Sequence, residues 1–301
     1  MKNKPKIAVL GGDLRQYAVA KELCKYDICV YACGLSVEIP DAQELKICDT
    51  FSEAVTGAVA VILPLPATAD GTSLNCPRIK SNERISLDEV IELLGADSIL
   101  CGGRIPQNIV VKAQAKGVAV YDYFDEERLQ IKNAYITAEA ALSIAMNSLE
   151  KCVRDARLVI TGTGRISRLL ADLLVRIGAD VTVVARNLDS LTYFELMGCK
   201  VRQIKEGGAW SKDFRHGYDI IFNTVPAWLF DRGFLENADK KLLIIELASA
   251  PGGVDICAAR ELSSNVLWAS SLPGKYAPHS AGALIAECIL ERLSKEEVGI
   301  L

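Results

Sequence analysis

One run constrains this chain more than any other: Arg157-Leu158-Val159-Ile160-Thr161-Gly162-Thr163-Gly164-Arg165-Ile166-Ser167-Arg168. An apolar strand passes straight into Gly-x-Gly and then into a helix rich in Leu and Ala. After Gly178 a second strand follows, Asp180 to Ala185, and it ends on Arg186-Asn187. Gly162 permits a turn that a Cβ would strain, and Gly164 lets a pyrophosphate approach the backbone. The unpaired N–H groups that open the next helix carry partial positive charge, which suits phosphate. Ser167 replaces the third glycine of the usual pattern and is small enough to keep helix and strand close. Gly162, Thr163, Gly164, Arg165 and Ile166 are therefore the expected pyrophosphate-binding residues of a dinucleotide site. The glycine pattern alone is weak evidence; its place between a strand and a helix is what gives it weight. Arg186 lies roughly 20 residues further on, where an acidic residue would bind a ribose hydroxyl and an arginine suits a 2′-phosphate. The expected cofactor is NADP, with NAD the alternative.

A chain of 301 residues, half of them apolar, can bury the cores of two domains. The net charge of -4 is spread along the sequence, with no basic block or aromatic-basic stripe that would suit nucleic acid. No apolar run reaches the roughly 18 residues a membrane span needs, and the N-terminus leads directly into a strand instead of a signal-peptide core. A cytoplasmic protein is expected. Ten cysteines, none in a Cys-x-x-Cys pair, and only two histidines read as reduced thiols without a metal site.

Strand and helix alternate in both halves. The first half carries strands at 6–10, 28–32, 58–63, 98–101 and 118–121, and helices at about 14–25, 86–94 and 106–117. The second helix opens on a capping-box pattern, Ser86-Leu87-Asp88-Glu89. The polar stretch 67–84 is long for a loop in a compact domain, which points to a functional or mobile segment. The fold class expected is α/β: two Rossmann-like, doubly wound parallel-sheet domains joined by a long helix, with a C-terminal helix returning to the first domain. The boundaries are 1–130 for a Rossmann- or flavodoxin-like substrate domain, 131–152 for the helix, and 153–270 for the nucleotide domain. Residues 271–301 form a loop and the returning helix. The nucleotide domain continues with strands at 201–204, 219–224 and 242–247, and the final helix runs from Ser280 to about Ser294.

Open α/β sheets gather ligands at the carboxyl ends of their strands. In the first half those ends carry Gly11-Gly12-Asp13-Leu14-Arg15, Leu63-Pro64-Leu65-Pro66 and Gly102-Gly103-Arg104. In the second they carry Asn223-Thr224-Val225-Pro226 and Glu246-Leu247-Ala248-Ser249-Ala250-Pro251-Gly252-Gly253. Leu272 to Gly282 reads as a rigid loop entering a helix at Ser280. Two such domains facing one another make a cleft. Arg15 and Arg104 can each take a carboxylate in a bidentate fork, and Lys275 and the helix start at Ser280 add positive potential. An anionic substrate is expected. The alternative for Arg15 is a local cap or ion pair, with Asp13 orienting it; Arg104 could equally be an ordinary loop arginine. His279 is the candidate for proton transfer, and a surface histidine is the competing reading. His216 has no assigned role.

These segments resemble the family of dipicolinate synthase A subunits from endospore-forming bacteria. The resemblance rests on Gly11-Gly12-Asp13-x-Arg15, Thr137-Ala138-Glu139, Gly162-Thr163-Gly164-Arg165, Ala185-Arg186 and Asn223-Thr224-Val225-Pro226. It rests also on Ala248-Ser249-x-Pro251-Gly252-Gly253-x-Asp255 and on Leu272-Pro273-Gly274-Lys275-x-Ala277-Pro278-x-Ser280-Ala281-Gly282. Two positions depart from the pattern: His279 stands in place of Lys, which weighs against a histidine-based acid/base role, and Glu246 in place of Asp. The resemblance implies NADP-dependent oxidation of a dihydrodipicolinate-type ring to pyridine-2,6-dicarboxylate. It implies a partner, the flavoprotein-like B subunit, and work in the mother cell during sporulation. On this footing the nicotinamide falls beside Asn223, Thr224, Val225 and Pro226. The substrate falls beside Asp13, Arg15, Arg104, Ser249 and Ser280, with His279 and Lys275 as the catalytic candidates. Two other functions suit the same motifs: another NADP-dependent dehydrogenase of this architecture, of shikimate or hydroxy-acid type, and a nucleotide-binding subunit without chemistry of its own. The sequence leaves open the oligomeric state and whether the chain forms a homo-oligomer.

Overall fold

The structure, a computed structural model, describes residues 4–35, 45–77, 85–204 and 214–295. The chain divides into two compact units, Met1–Asn133 with Gly274–Leu301, and Ala134–Pro273.

The first unit begins β1 (Lys6–Leu10), α1 (Leu14–Leu23), β2 (Cys29–Cys33), β3 (Leu45–Ile47), α2 (Phe51–Val55) and β4 (Ala60–Ile62). It continues α3 (Leu87–Leu93), β5 (Ile99–Gly102), α4 (Gln107–Ala115) and β6 (Ala119–Asp122). Its six strands are parallel in the order β3-β2-β1-β4-β5-β6. The chain winds outward from β1 to β3, then crosses back to β4, so the winding reverses between β1 and β4. Parallel sheets are covered on both faces and their strands read as apolar runs. In β1, Ile7 and Val9 enter one core while Ala8 and Leu10 enter the other. The capping box of α3 is present: the Glu89 N–H donates to Ser86 Oγ at 3.1 Å, and the Ser86 N–H to Glu89 Oε2 at 2.7 Å.

Helix α5 (Glu127–Ser148) crosses from the first unit into the second. It starts four residues before the expected 131 and ends four before the expected 152. The second unit then runs β7 (Arg157–Thr161), α6 (Arg165–Arg176), β8 (Asp180–Ala185), α7 (Leu188–Leu196), β9 (Lys200–Gln203) and β10 (Ile220–Asn223). It ends with α8 (Arg232–Asn237), β11 (Leu243–Glu246), α9 (Ile256–Glu261) and β12 (Val266–Trp268). Its strand order, β12-β11-β10-β7-β8-β9, repeats the topology of the first unit, and the winding reverses between β7 and β10. Leu158 and Ile160 fill one core and Val159 the other.

The chain closes with α10 (Leu272–Tyr276) and α11 (Pro278–Lys295). The rigid loop expected between Leu272 and Ser280 is thus a short helix followed by the start of a long one. Proline at the first helical position has no N–H to leave unpaired and its φ already suits a helix, so α11 starts at Pro278 and Ser280 lies inside its first turn. Helix α11 packs along α1 so closely that a Cβ on Gly282 would stand 2.5 Å from both Ala18 Cβ and the Arg15 carbonyl oxygen.

Each sheet has one strand more than the sequence shows, β3 and β12, both of three residues. The short helix α2 was likewise not expected. Of the long polar stretch 67–84, residues 67–77 fold back over the first unit and residues 78–84 lie outside the described residues. No described helix is long and apolar enough to cross a membrane.

Candidate functional site

Each unit has a glycine turn at the carboxyl end of its first strand, at the point where the winding reverses. The two turns differ in what lies on them. In the second unit Gly162 has φ +89, and a Cβ on it would stand 2.8 Å from Thr224 Oγ1 and Val225 Cγ2. Gly164 has an ordinary extended backbone, φ -74 and ψ -174, and caps α6 without any side-chain hydrogen bond. A Cβ there would meet no atom within 4 Å. Among the described residues nothing demands glycine at 164.

The turn is held from below by hydroxyls. Ser167 is fully buried and its Oγ lies 2.8 Å from Thr224 Oγ1, which in turn donates to the Thr161 carbonyl at 2.6 Å. Thr161 Oγ1 donates to Asn223 Oδ1 at 2.6 Å. The Asn223 amide nitrogen donates to both oxygens of Glu246, at 2.9 and 2.8 Å. Glu246 also accepts the N–H of Ala248 and of Gly253, both at 2.9 Å. Glu246 and Asn223 are both 0 % exposed. Burial pushes the Glu246 carboxyl above the usual carboxylate range, against the pull of the hydrogen bonds from Asn223, Gly253 and Ala248. Asn223, expected to bind the cofactor, is a buried residue that shapes the Thr224–Pro226 turn. Its side chain is spent on Glu246, Thr161 and the Val225 backbone.

Thr224 and Val225 are partly exposed beside Gly162, and Pro226 is exposed. Thr163 and Ile166 are partly exposed at the start of α6, and Arg165, its first residue, is exposed. Ser249 is exposed on the loop after β11, in the second unit. Arg186 is exposed just past β8, the strand that pairs with β7, and its carbonyl accepts from Gln203 Nε2 at 3.0 Å. No carboxylate among the described residues pairs with its side chain.

In the first unit the equivalent turn is filled by the chain itself. The Gly12 N–H donates to the Asn75 carbonyl at 2.8 Å, and a Cβ on Gly11 would stand 2.6 Å from Cys76 Sγ. Asp13 caps α1, accepting the Arg15 N–H at 3.0 Å, and puts a carboxylate at the N-terminus of that helix. Arg15, 8 % exposed, turns back on that carboxylate: Nε donates to Oδ1 at 2.9 Å and Nη2 to Oδ2 at 2.8 Å. Nη2 also donates at 2.6 Å to the carbonyl of Leu65, on the loop after β4, and so spans the reversal point. The Leu65 side chain packs on Gly103, next to Arg104. Gly274 packs directly on the Asp13–Arg15 pair, which brings the exposed Lys275 beside it. His279 and Ser280 are exposed in the first turn of α11, two or three residues before the Gly282 contact with α1.

The structure thus gathers Asp13, Arg15, Arg104 and Lys275 at one end of the first sheet. Sequence reasoning missed the strap formed by Leu74, Asn75 and Cys76 over the Gly-Gly turn, and the buried Asn223–Glu246 pair. It also missed Asp122, whose carboxylate accepts the N–H groups of Arg104, Ile105 and Phe124. An aspartate closing a strand ahead of a turn is a legible signal, because aspartate accepts from nearby backbone N–H groups. Among the described residues no group of three His, Cys, Asp or Glu could hold a metal ion.

Comparison with known proteins agrees with the motifs. Residues 6–124 match the family model described as the N-terminal domain of the dipicolinate synthase A subunit. The chain is 27% identical over 307 residues to the dipicolinate synthase A subunit of Bacillus subtilis (strain 168), covering 96% of each. Its fold is that of the crystal structure of the dipicolinate synthase A subunit from Bacillus halodurans, with TM-score 0.80 at 24% identity, over 96% of this chain and 98% of that one. A structure of L-alanine dehydrogenase shares the fold at TM-score 0.65 and 13% identity, over 97% and 91% of the two chains. The resemblance read from the sequence motifs is borne out by these matches.

Proposed function

With residues 6–124 recognised as the N-terminal domain of a dipicolinate synthase A subunit, we propose that this chain oxidises a dihydrodipicolinate-type ring to pyridine-2,6-dicarboxylate using NADP. The observation that carries the reading is the difference between the two glycine turns. One is open, uncapped and free of acidic residues in its helix's first turn; the other is filled by the Asn75 carbonyl and flanked by arginines. The first suits a nucleotide and the second an anionic substrate. The residues fit NADP: Gly162 to Ile166 would hold the pyrophosphate on the α6 N-terminus, Arg186 the 2′-phosphate, and Thr224 to Pro226 the nicotinamide side. Bound there, NADP supplies the acceptor for the hydride that leaves the ring. The protein's own contribution is position and charge. Arg104 and Lys275 hold the ring's carboxylates above the Arg15–Asp13 pair and exclude competing orientations, and Lys275 or His279 takes the proton that leaves with aromatisation. Partnership with a B subunit, and a role in the mother cell of a sporulating bacterium, belong to the same reading.

The test is direct. Purified chain is mixed with dihydrodipicolinate and either NADP or NAD, with and without the B subunit, and formation of reduced nicotinamide is followed. Oxidation with NADP supports the proposal. Clearly tighter calorimetric binding of NAD than of NADP refutes the cofactor assignment, and turnover that appears only on adding the B subunit makes this chain one half of a composite site.

A further inference from the structure

Two arginines stand at the carboxyl end of the first sheet, and the structure treats them differently. The fork of Arg15 is consumed: Asp13 takes its Nε and Nη2, and the Leu65 carbonyl takes a further proton of Nη2. Arg104 is exposed, and among the described residues no oxygen accepts from its guanidinium. Its backbone is nonetheless held in an unusual state. Arg104 has φ +56, a left-handed conformation that residues with side chains adopt rarely, and glycine would be the easier choice. The conformation is fixed by one carboxylate. Asp122 Oδ1 accepts the N–H of Arg104 at 3.1 Å and that of Phe124 at 2.9 Å, and Oδ2 accepts the N–H of Ile105 at 2.8 Å. The same turn places the Phe124 ring under the guanidinium, 5.0 Å from the centroid. Stacking on a ring leaves the in-plane N–H edge of an arginine free for a planar acceptor. A strained backbone, a three-bond anchor and an aromatic rest all serve one unpaired fork.

We propose that Arg104, and not Arg15, takes a ring-bound carboxylate in the bidentate mode, and that Asp122 is the positioning residue that aims it. The inference deepens the functional reading above and rests on it for the identity of the ring. Arg15 becomes the floor of the site, an internally neutralised pair that offers at most its Nη1 edge. Asp122 acts through Arg104, and the Phe124 ring gives the guanidinium a surface to rest on.

The experiment measures binding of pyridine-2,6-dicarboxylate, benzoate and glutarate to the full-length chain by calorimetry, and KM and kcat for oxidation where turnover is seen. The variants are Arg104→Ala, Arg104→Lys, Asp122→Ala, Phe124→Leu and the double change Asp122→Ala with Arg104→Ala. Removing hydrogen bonds to a charged group predicts that Arg104→Ala weakens aromatic carboxylate binding about 10- to 100-fold. Arg104→Lys recovers little of it, because an ammonium has no fork. Asp122→Ala raises KM by about tenfold at similar kcat. In the Arg104→Ala background the Asp122 change costs nothing further, a non-additivity that a merely structural role would not produce. NADP affinity stays at the wild-type value throughout and reports that each variant is folded; Phe124→Leu, which leaves the Asp122 anchor in place, gives a partial loss. Asp122→Ala and Phe124→Leu chains that hold NADP and bind carboxylate as wild type does overturn the proposal, as does an Asp122 effect undiminished without Arg104. If benzoate binds through Arg104 while pyridine-2,6-dicarboxylate neither binds nor is formed, the substrate reading fails and the positioning role stands. If no carboxylate binds at all, both fail.

Discussion

Single residues decide which turn is open. Among the described residues no atom crowds Gly164 and its backbone is one any residue adopts, so its replacement separates stability from binding. Serine caps helices at least as well as glycine. Gly164→Ser should therefore leave the melting temperature unchanged or slightly raised, while its side chain occupies the pyrophosphate position and lowers NADP affinity at least about tenfold. Thermal melts and calorimetry on the same sample check both halves; a variant that loses stability yet binds cofactor as wild type does would contradict the role. Glu246 supplies a pH signature. Its carboxyl titrates above the ordinary value of 4.5 because burial outweighs the hydrogen bonds it accepts. Between that value and its raised folded-state value the native chain binds more protons at this site than the unfolded chain, so its contribution to stability falls as pH rises through the window. In Glu246→Gln that slope is gone. The stability of wild type minus variant, from denaturant titrations, should grow as pH is lowered from neutral toward about 4.5; a difference constant with pH would show that burial does not govern this group.

At the scale of elements, the most extensive contact between helices among the described residues is α11 on α1, and it depends on an absent side chain. A Cβ on Gly282 would press on Ala18 and on the Arg15 carbonyl, both backbone-fixed in α1. Gly282→Ala should cost about 1–3 kcal/mol by overpacking, read as a lower midpoint in denaturant. Tilting α11 should also disturb Gly274 on the Asp13–Arg15 pair, so carboxylate binding weakens while NADP binding does not. What the sequence shows of these elements follows their length and periodicity. The core strands β1, β7 and β10 are apolar runs closed by glycine or a short polar turn, and such runs are easily read. β3 and β12 are three-residue edge strands, Leu-Lys-Ile and Val-Leu-Trp, too short to show a period. The candidate site divides in the same way. Gly162, Gly164, Arg15 and Arg104 are visible because their residue types are special at strand ends. The Asn75 carbonyl over Gly12, the Leu65 carbonyl on Arg15 and the Glu246 carboxylate under Asn223 are not, because a backbone acceptor has no letter of its own and pairing across the fold has no local pattern.

At the scale of the whole molecule, one topology appears twice and carries two different turns. A likeness of fold alone would allow two nucleotides per chain. The filled Gly11-Gly12 turn and the Asp13 carboxylate on it predict one. Calorimetric titration with NADP should give a stoichiometry of one, abolished together with binding when Gly164 is replaced. A second site of similar affinity would show that the strap over Gly11-Gly12 lifts away. The first unit is also discontinuous, completed only by Gly274–Leu301. Its inner core contains Ile285, Ala286, Ile289 and Leu293 of α11 beside Ile7, Val9 and Val19. In chain order, therefore, the first unit receives its last helix only after the whole of the second, and until residues 278–295 are made the core that α1 begins over Ile7 and Val9 lacks the side chains that finish it.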